Sequence, residues 1–326
     1  MVHTGSPAVQ RCPKQLPDAR LVPMPNFAIY GIVVLIWGTT WYAIKFQLGV
    51  VPPEISLVYR FGIAAICLFL YARVVGNPMR LSRRDHGYVA LQGMTLFCFN
   101  YWLTYLGTQY LTSGLVAVLF TSIIFMNLIN ARMIFGQLVE TRVLVAAAAG
   151  MLGVALLFLP ELRSTMGNHD VLKGAWLALG ATYLASLGNM AAMRNTGSGL
   201  PVVTVNAYGM VYGTLGLVLI AVVRGAPLIF DASWPYVVSL LYLSLAGTSL
   251  AFGLYLALIK KIGPARAAYT SVLFPVVALL VSTVFEGYRW SLPAFIGLAV
   301  LIAGNALALG GRRWLPELDS NQRPTD

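Results

Sequence analysis

The chain has 326 residues, of which 58% are hydrophobic and only 10% charged, and its mean hydropathy is +0.76. Soluble domains carry about a quarter of their residues as charges, so a water-soluble globule is excluded and an all-α integral membrane protein is expected. A formal net charge of +11 raises nucleic acid as a partner, but the distribution of the cations along the chain argues against it.

Residues 1–26 hold Pro7, Pro13, Pro17, Pro23 and Pro25 with three basic residues and no apolar stretch of the kind a signal peptide needs. They read as a disordered cytoplasmic arm. Runs long enough for the roughly 20 apolar residues of a membrane helix then follow near 27–47, 54–74, 87–109, 113–133, 142–160, 171–193, 200–223, 235–258, 265–285 and 292–310. The expectation is ten transmembrane helices, five in each half, with a short polar tail over 311–326.

The first predicted helix carries Trp37, Thr40 and Trp41 near its middle, with the two indoles one turn apart on one face. At mid-depth an indole N–H needs a partner, and a water-filled cavity would supply one; helix packing or lipid contact is the alternative. Lys45 and Arg60 are the cations placed at membrane depth. An intramembrane ion is by default a functional-site hypothesis, here as a carboxylate-binding group, against which stands snorkelling of either side chain to the outer surface. The third predicted helix presents Phe97, Tyr101 and Tyr105 at i, i+4, i+8, beside Asn100 and Thr104. Such polar tips are costly in hydrocarbon unless they are paired, so they should face the bundle interior, as cavity wall or as glue between helices.

In the second half comparable polar tips are Tyr183 and Asn189 on the sixth helix, Asn206 on the seventh, Thr248 and Ser249 on the eighth, and Tyr269 and Ser271 on the ninth. The expected substrate cavity is therefore lined by Trp37, Thr40, Trp41, Asn100, Tyr101, Tyr105, Tyr183, Asn189, Thr248 and Tyr269. Pro275 removes a backbone hydrogen bond in mid-helix and reads as a hinge or a static kink. Gly209, Gly213 and Gly216 thin one side of the seventh helix, while Gly150, Gly153, Gly297 and Gly304 suit tight packing of the fifth and tenth.

The loops divide the basic residues unequally: sixteen of the 22 fall on the side that also holds both termini. The positive-inside rule makes that side cytoplasmic. An odd number of helices per half then forces the second half to enter the membrane from the opposite side, which makes the halves, 27–160 and 171–310, inverted repeats. Inverted repeats are the architecture of carriers whose site lies between the halves. The internal likeness supports this: Leu103–Phe135 and Leu254–Glu286 follow one plan 151 residues apart, each with a short break, Leu111-Thr112-Ser113-Gly114 in one and Ile262-Gly263-Pro264-Ala265 in the other.

The segment from Leu243 through Thr248-Ser249, Lys260-Lys261-Ile262-Gly263-Pro264-Ala265 and Leu273-Phe274-Pro275 to Glu286 resembles the second repeat of the EamA branch of the drug/metabolite transporter superfamily. Leu35-Ile36-Trp37-Gly38-Thr39-Thr40-Trp41 is similar to that family's first-helix motif. The first repeat departs from the second by Ile124 in place of Pro275 and Phe135 in place of Glu286. The resemblance implies a ten-helix exporter of amino acids or related metabolites in the inner membrane.

Charge ranks the substrates within that class. Phosphorylated sugars would want several cations in the site, and at most two are available. No Asp or Glu falls near the centre of any predicted helix, which disfavours proton-coupled export of cationic drugs. A zwitterion or a neutral molecule fits best, with broad amino-acid specificity that extends to aromatic ones; lipophilic drugs are the runner-up. A channel is a weaker alternative, and so is an intramembrane enzyme, since no HExxH or GxSxG occurs. Cys12, Cys67 and Cys98 form neither a CxxC motif nor a disulfide frame. No metal or cofactor is expected; the partners are the small-molecule substrate and the lipid bilayer, with the chain as monomer or homodimer.

Overall fold

The computed structural model describes residues 24–136, 141–164, 169–262, 267 and 270–309, and all the regular structure among them is helical. The arm, the tail and Tyr269 lie outside these residues, apart from the short stretch that leads into the first helix.

Each helix starts and stops for a local reason. α1 (Asn26–Lys45) begins after Pro25 and finishes on a basic residue, which suits the negative end of its dipole. α2 (Pro53–Val74) has Pro53 and Glu54 in its first turn, where a missing N–H costs nothing and a carboxylate is favoured. α3 spans 83–108 and opens on a Ser82 cap, whose hydroxyl oxygen accepts the Asp85 N–H at 3.1 Å. It runs as Arg83–Gln92, then a π-helical stretch Gly93–Phe99, then Asn100–Thr108. α4 (Ser113–Phe135) is interrupted at Thr121 and Ser122, whose hydroxyls donate back to Val118 O at 2.6 Å and Leu119 O at 2.7 Å. It stops at Gly136, which takes the left-handed φ of +68°.

α5 (Thr141–Ser164), α6 (His169–Gly197) and α7 (Val202–Val223) follow. α8 spans 234–262 and is built like α3: Trp234–Leu241, a π-helical stretch Tyr242–Leu250, then Ala251–Ile262. α9 (Thr270–Phe285) contains Pro275, and α10 is Leu292–Leu309. Among the described residues six helices, α1, α2, α4, α6, α7 and the Trp234–Tyr255 part of α8, are long and apolar enough to cross a bilayer; shorter apolar stretches lie in α5, α9 and α10.

The packing repeats itself when each helix is exchanged for the one five places on. α1 packs on α9 as α6 packs on α4, α1 on α8 as α6 on α3, and α2 on α8 as α7 on α3. The pairs α2 with α7, α4 with α9 and α5 with α10 map onto themselves. At the last of these, a Cβ on Gly153 would lie 2.7 Å from Gly297 O, and a Cβ on Gly297 would lie 2.7 Å from Gly153 O. The two backbones touch there as predicted from the glycines. The α3–α7 contact is equally close, with Gly93 against the Gly209 carbonyl and Gly213 against Phe97.

The core divides along the same lines. One apolar cluster joins α1, α2, α3, α7 and α8 through Ile44, Phe61, Phe97, Tyr105, Met210 and Leu243. A second joins α4, α5, α6, α9 and α10 through Leu115, Leu119, Leu157, Ala178, Leu279 and Leu301, with Trp41 of α1 packed against it.

Candidate functional site

Polar side chains at this depth need partners, so the hydrogen bonds locate the working parts. At the end of the bundle where α1 and α9 finish, the Glu286 carboxylate collects four groups. Lys45 Nζ stands 3.5 Å from it, the Ser113 N–H donates at 3.0 Å, and the Ser113 and Ser282 hydroxyls both donate to it. Ser282 Oγ also accepts the Gly114 N–H at 2.8 Å, and Lys45 Nζ donates to Leu111 O at 2.8 Å. The free N–H groups at the start of α4 are thus capped from α9, and the ammonium from α1 complements the same carboxylate. Three helices are tied at one point.

Two more ties close this end. Glu54, buried, pairs with Arg224 at 3.3 Å and accepts the Trp102 indole N–H at 3.2 Å. Gln47, also buried, donates to Tyr236 O at 2.9 Å and to Ser239 Oγ at 2.6 Å, which joins the end of α1 to the start of α8. At the opposite end the end of α6 is joined to the start of α3 in the same manner. Arg194 bonds Asp85 at 3.0 Å, Asn195 donates to Gln92 Oε1 at 3.0 Å, and Gln92 donates to Asn206 Oδ1 at 3.0 Å. Asp85 precedes the predicted span 87–109; the Ser82 hydroxyl, and then Arg194, hold its carboxyl below the ordinary range.

Between these ends lie most of the residues singled out from the sequence. The Trp37 indole N–H donates to Gly247 O at 3.0 Å, and its ring is enclosed by Phe252, Tyr255 and Phe274. Its partner is a backbone carbonyl of the α8 π-helical stretch, where the sequence had offered a water-filled cavity. Thr40 donates to Trp37 O at 2.7 Å, and its methyl group is what a Cβ on Gly247 would meet. Thr248 donates to Leu243 O, five residues back, at 2.8 Å. Trp41 packs against Phe120 of α4. Pro275 is buried inside α9, next to the Phe274 ring that covers Trp37.

On α3, Asn100 donates to Leu96 O at 3.0 Å and Thr104 to Asn100 O at 2.9 Å, so both are satisfied within their own helix. Tyr105 and Tyr101 converge with Arg60 of α2: the guanidinium lies 3.4 Å from the Tyr105 hydroxyl and 4.7 Å from the Tyr101 ring centre. Arg60 is 2% exposed and does not snorkel. Lys45 is not brought to Arg60; its carboxylate partner is Glu286. Asn189 meets Asn127 of α4 at 3.3 Å. Tyr183, 48% exposed, lies seven residues from Trp176, 73% exposed, and shares its outward stripe.

An open groove of about 370 Å³ lies on the flank between α1 and α8, lined by Thr39, Tyr42, Phe46, Trp234, Val238 and Tyr242. Its floor is polar at one spot, where Thr39 Oγ1 and Tyr242 OH share a hydrogen bond of 2.6 Å. Among the described residues no three His, Cys, Asp or Glu side chains cluster to hold a metal.

Sequence reasoning had marked Glu286 as a departure between the halves, but had not found its partners. The two π-helical stretches were missed, although at the 151-residue offset Gly93–Phe99 falls within Tyr242–Leu250. Their composition is that of any apolar helix.

The profile of the EamA-like transporter family matches residues 27–159 and again 172–310. The inner membrane transporter YedA of Escherichia coli K12 is 27% identical over 90% of this chain and 93% of its own. A probable amino-acid metabolite efflux pump of the same organism is 23% identical over 87% and 94%. A solved crystal structure superposes with a TM-score of 0.64 at 16% identity, covering 87% of this chain and 96% of that one.

Proposed function

The chain belongs to the EamA-like transporter family, and on that premise we propose that it is a secondary transporter that exports amino acids or related small metabolites across the inner membrane by alternating access. In this reading ten helices cross the bilayer as two inverted repeats, 27–160 and 171–310, with both termini in the cytoplasm. The Glu286 end is then outer and the Asp85 end inner.

The observation that carries the reading is the exchange of helix partners between the halves. If α1 contacts α8 as α6 contacts α3, each half holds for one end of the molecule the joint that the other half holds for the opposite end. Two arrangements of similar energy then follow from one packing plan, one open to each side. Amino acids are favoured within the small-molecule class by the name of the efflux pump related to it and by the scarcity of charge at depth. Inner-membrane residence accords with the related inner membrane transporter. Nothing positive supports enzymatic chemistry, and the polar groups described above are mostly spent on helix-to-helix ties or on carbonyls of their own helices.

The test is counterflow into proteoliposomes with a panel of labelled amino acids, against empty liposomes and Trp41→Ala. Saturable counterflow of several amino acids, weakened by the substitution, is the expected result. A flux that never saturates would point to a pore. A second reading, export of lipophilic compounds, is favoured by the apolar groove between α1 and α8; drug resistance conferred on cells in the absence of any amino-acid flux would select it.

A further inference from the structure

Arg60 is the one charged side chain described above for which the fold supplies no counter-charge. It sits in α2, six residues inside Glu54, and is 2% exposed. Among the described residues no carboxylate lies within 4.0 Å of it, and Glu54, six residues away on the same helix, is committed to Arg224 and Trp102. Its neighbours are the rings of Phe61 and Tyr101, at 5.3 Å and 4.7 Å from the guanidinium carbon. Its hydrogen bond to Tyr105 is long, at 3.4 Å, and its buried Nε has no acceptor. A guanidinium offers five N–H donors in a planar fork. A charge buried with a donor left without an acceptor is strongly disfavoured unless something pairs with it, and ring faces compensate only in part.

We infer that Arg60 is the recognition point for the anionic group of the substrate, a single carboxylate taken in two-pronged fashion by the guanidinium fork. The inference rests on the reading of the protein as a carrier. Tyr101 and Phe61 occupy the faces of the guanidinium and stand in for the anion when the site is empty; Tyr101, only partly buried, is the ring that moves aside. The geometry matches carboxylate better than phosphate, because one guanidinium satisfies one carboxylate in fork-to-fork contact, and the other cation once placed at depth, Lys45, is held by Glu286. The rings also supply an apolar wall beside the charge, which fits an amino acid or monocarboxylate with an aromatic or large apolar body.

The experiment compares, in proteoliposomes, an amino acid with its carboxamide, which keeps the ammonium and the side chain but lacks the anion. Wild-type protein is expected to prefer the acid by roughly tenfold or more in KM, the equivalent of about 1.4 kcal/mol or more. Arg60→Gln should erase that preference and Arg60→Lys should keep part of it. If wild-type protein carries both compounds with equal KM, or if Arg60→Gln retains the preference, the inference is overturned while the carrier stands. If no amino acid is carried, thermal protection by benzoate in detergent decides. Protection of wild type but not of Arg60→Gln upholds carboxylate recognition without the amino-acid reading, and no protection overturns both. Should Arg60→Gln not fold, the wild-type comparison together with Arg60→Lys decides the same question.

Discussion

Trp37 spends its only polar atom on the Gly247 carbonyl, and that bond, with the Thr39–Tyr242 pair, links α1 of one half to the π-helical stretch of the other. Trp37→Phe keeps a ring among Phe252, Tyr255 and Phe274 but leaves the carbonyl without its indole donor, at a cost of about 1–3 kcal/mol for a buried group. We expect a lower thermal midpoint in detergent with substrate KM unchanged, because the N–H is not offered to substrate. A changed KM at an unchanged midpoint would restore Trp37 to a cavity wall. The same kind of bond explains what the sequence could and could not reveal at this scale. That Asn100, Thr104 and Thr248 needed partners at membrane depth was legible from residue type alone. That the partners are carbonyls of their own helices was not, since a hydroxyl or amide in an apolar run reads alike whether it turns back to its backbone or into a cavity. Arg60 was legible as a buried-ion candidate, but the choice between snorkelling and burial depended on Tyr101 and Tyr105 closing over it.

Helix positions follow from apolar runs, and the observed elements begin and end within a few residues of the predicted ones in most cases; α3 starts at Arg83 where the apolar run begins near 87. Interruptions inside the runs are a different matter. The break at Thr121–Ser122 and the two π-helical stretches arise from where carbonyls find donors, and nothing in hydropathy records that. π-helical turns inside α-helices recur at functional positions, and here each packs on a helix of the opposite half, α3 on α6 and α7, α8 on α1 and α2. The contact on the α3 side is the tighter one: a Cβ on Gly93 would stand 2.3 Å from Gly209 O, a backbone atom with no freedom to turn away. Gly93→Ala should therefore cost about 1–3 kcal/mol as overpacking and depress both thermal midpoint and transport rate. Gly62→Ala on α2, where nothing lies within 4 Å of the added carbon, should leave both as they are. Equal behaviour of the two variants in a melting assay would mean that α3 and α7 separate more freely than their contact implies.

Across the whole molecule, both ends are tied in the conformation described, yet with unlike chemistry. One end depends on Glu286 accepting from Ser113 and Ser282 beside Lys45, in a half-buried setting where α4 begins. The other depends on Arg194 and Asp85 with the Gln92–Asn195–Asn206 chain behind them. In a carrier of two exchanged halves only one end can be released at a time, so weakening either tie should favour the state open on its own side. Neutralising one partner is worth about 1–3 kcal/mol of bias, a shift of roughly 5–150-fold in the ratio of states. Spin labels at Val50 and Leu292, both exposed near the Glu286 end, and at Val74 and Ser198, exposed near the Asp85 end, would report the two openings separately. Glu286→Gln should lengthen the first distance and leave the second short; Asp85→Asn should do the reverse. Substrate added to either variant should draw the distribution back toward the closed form, since a ligand shifts states only through its difference in affinity for them. Lengthening of both distances by a single substitution would describe a molecule coming apart, and would remove the basis for alternating access between these ends.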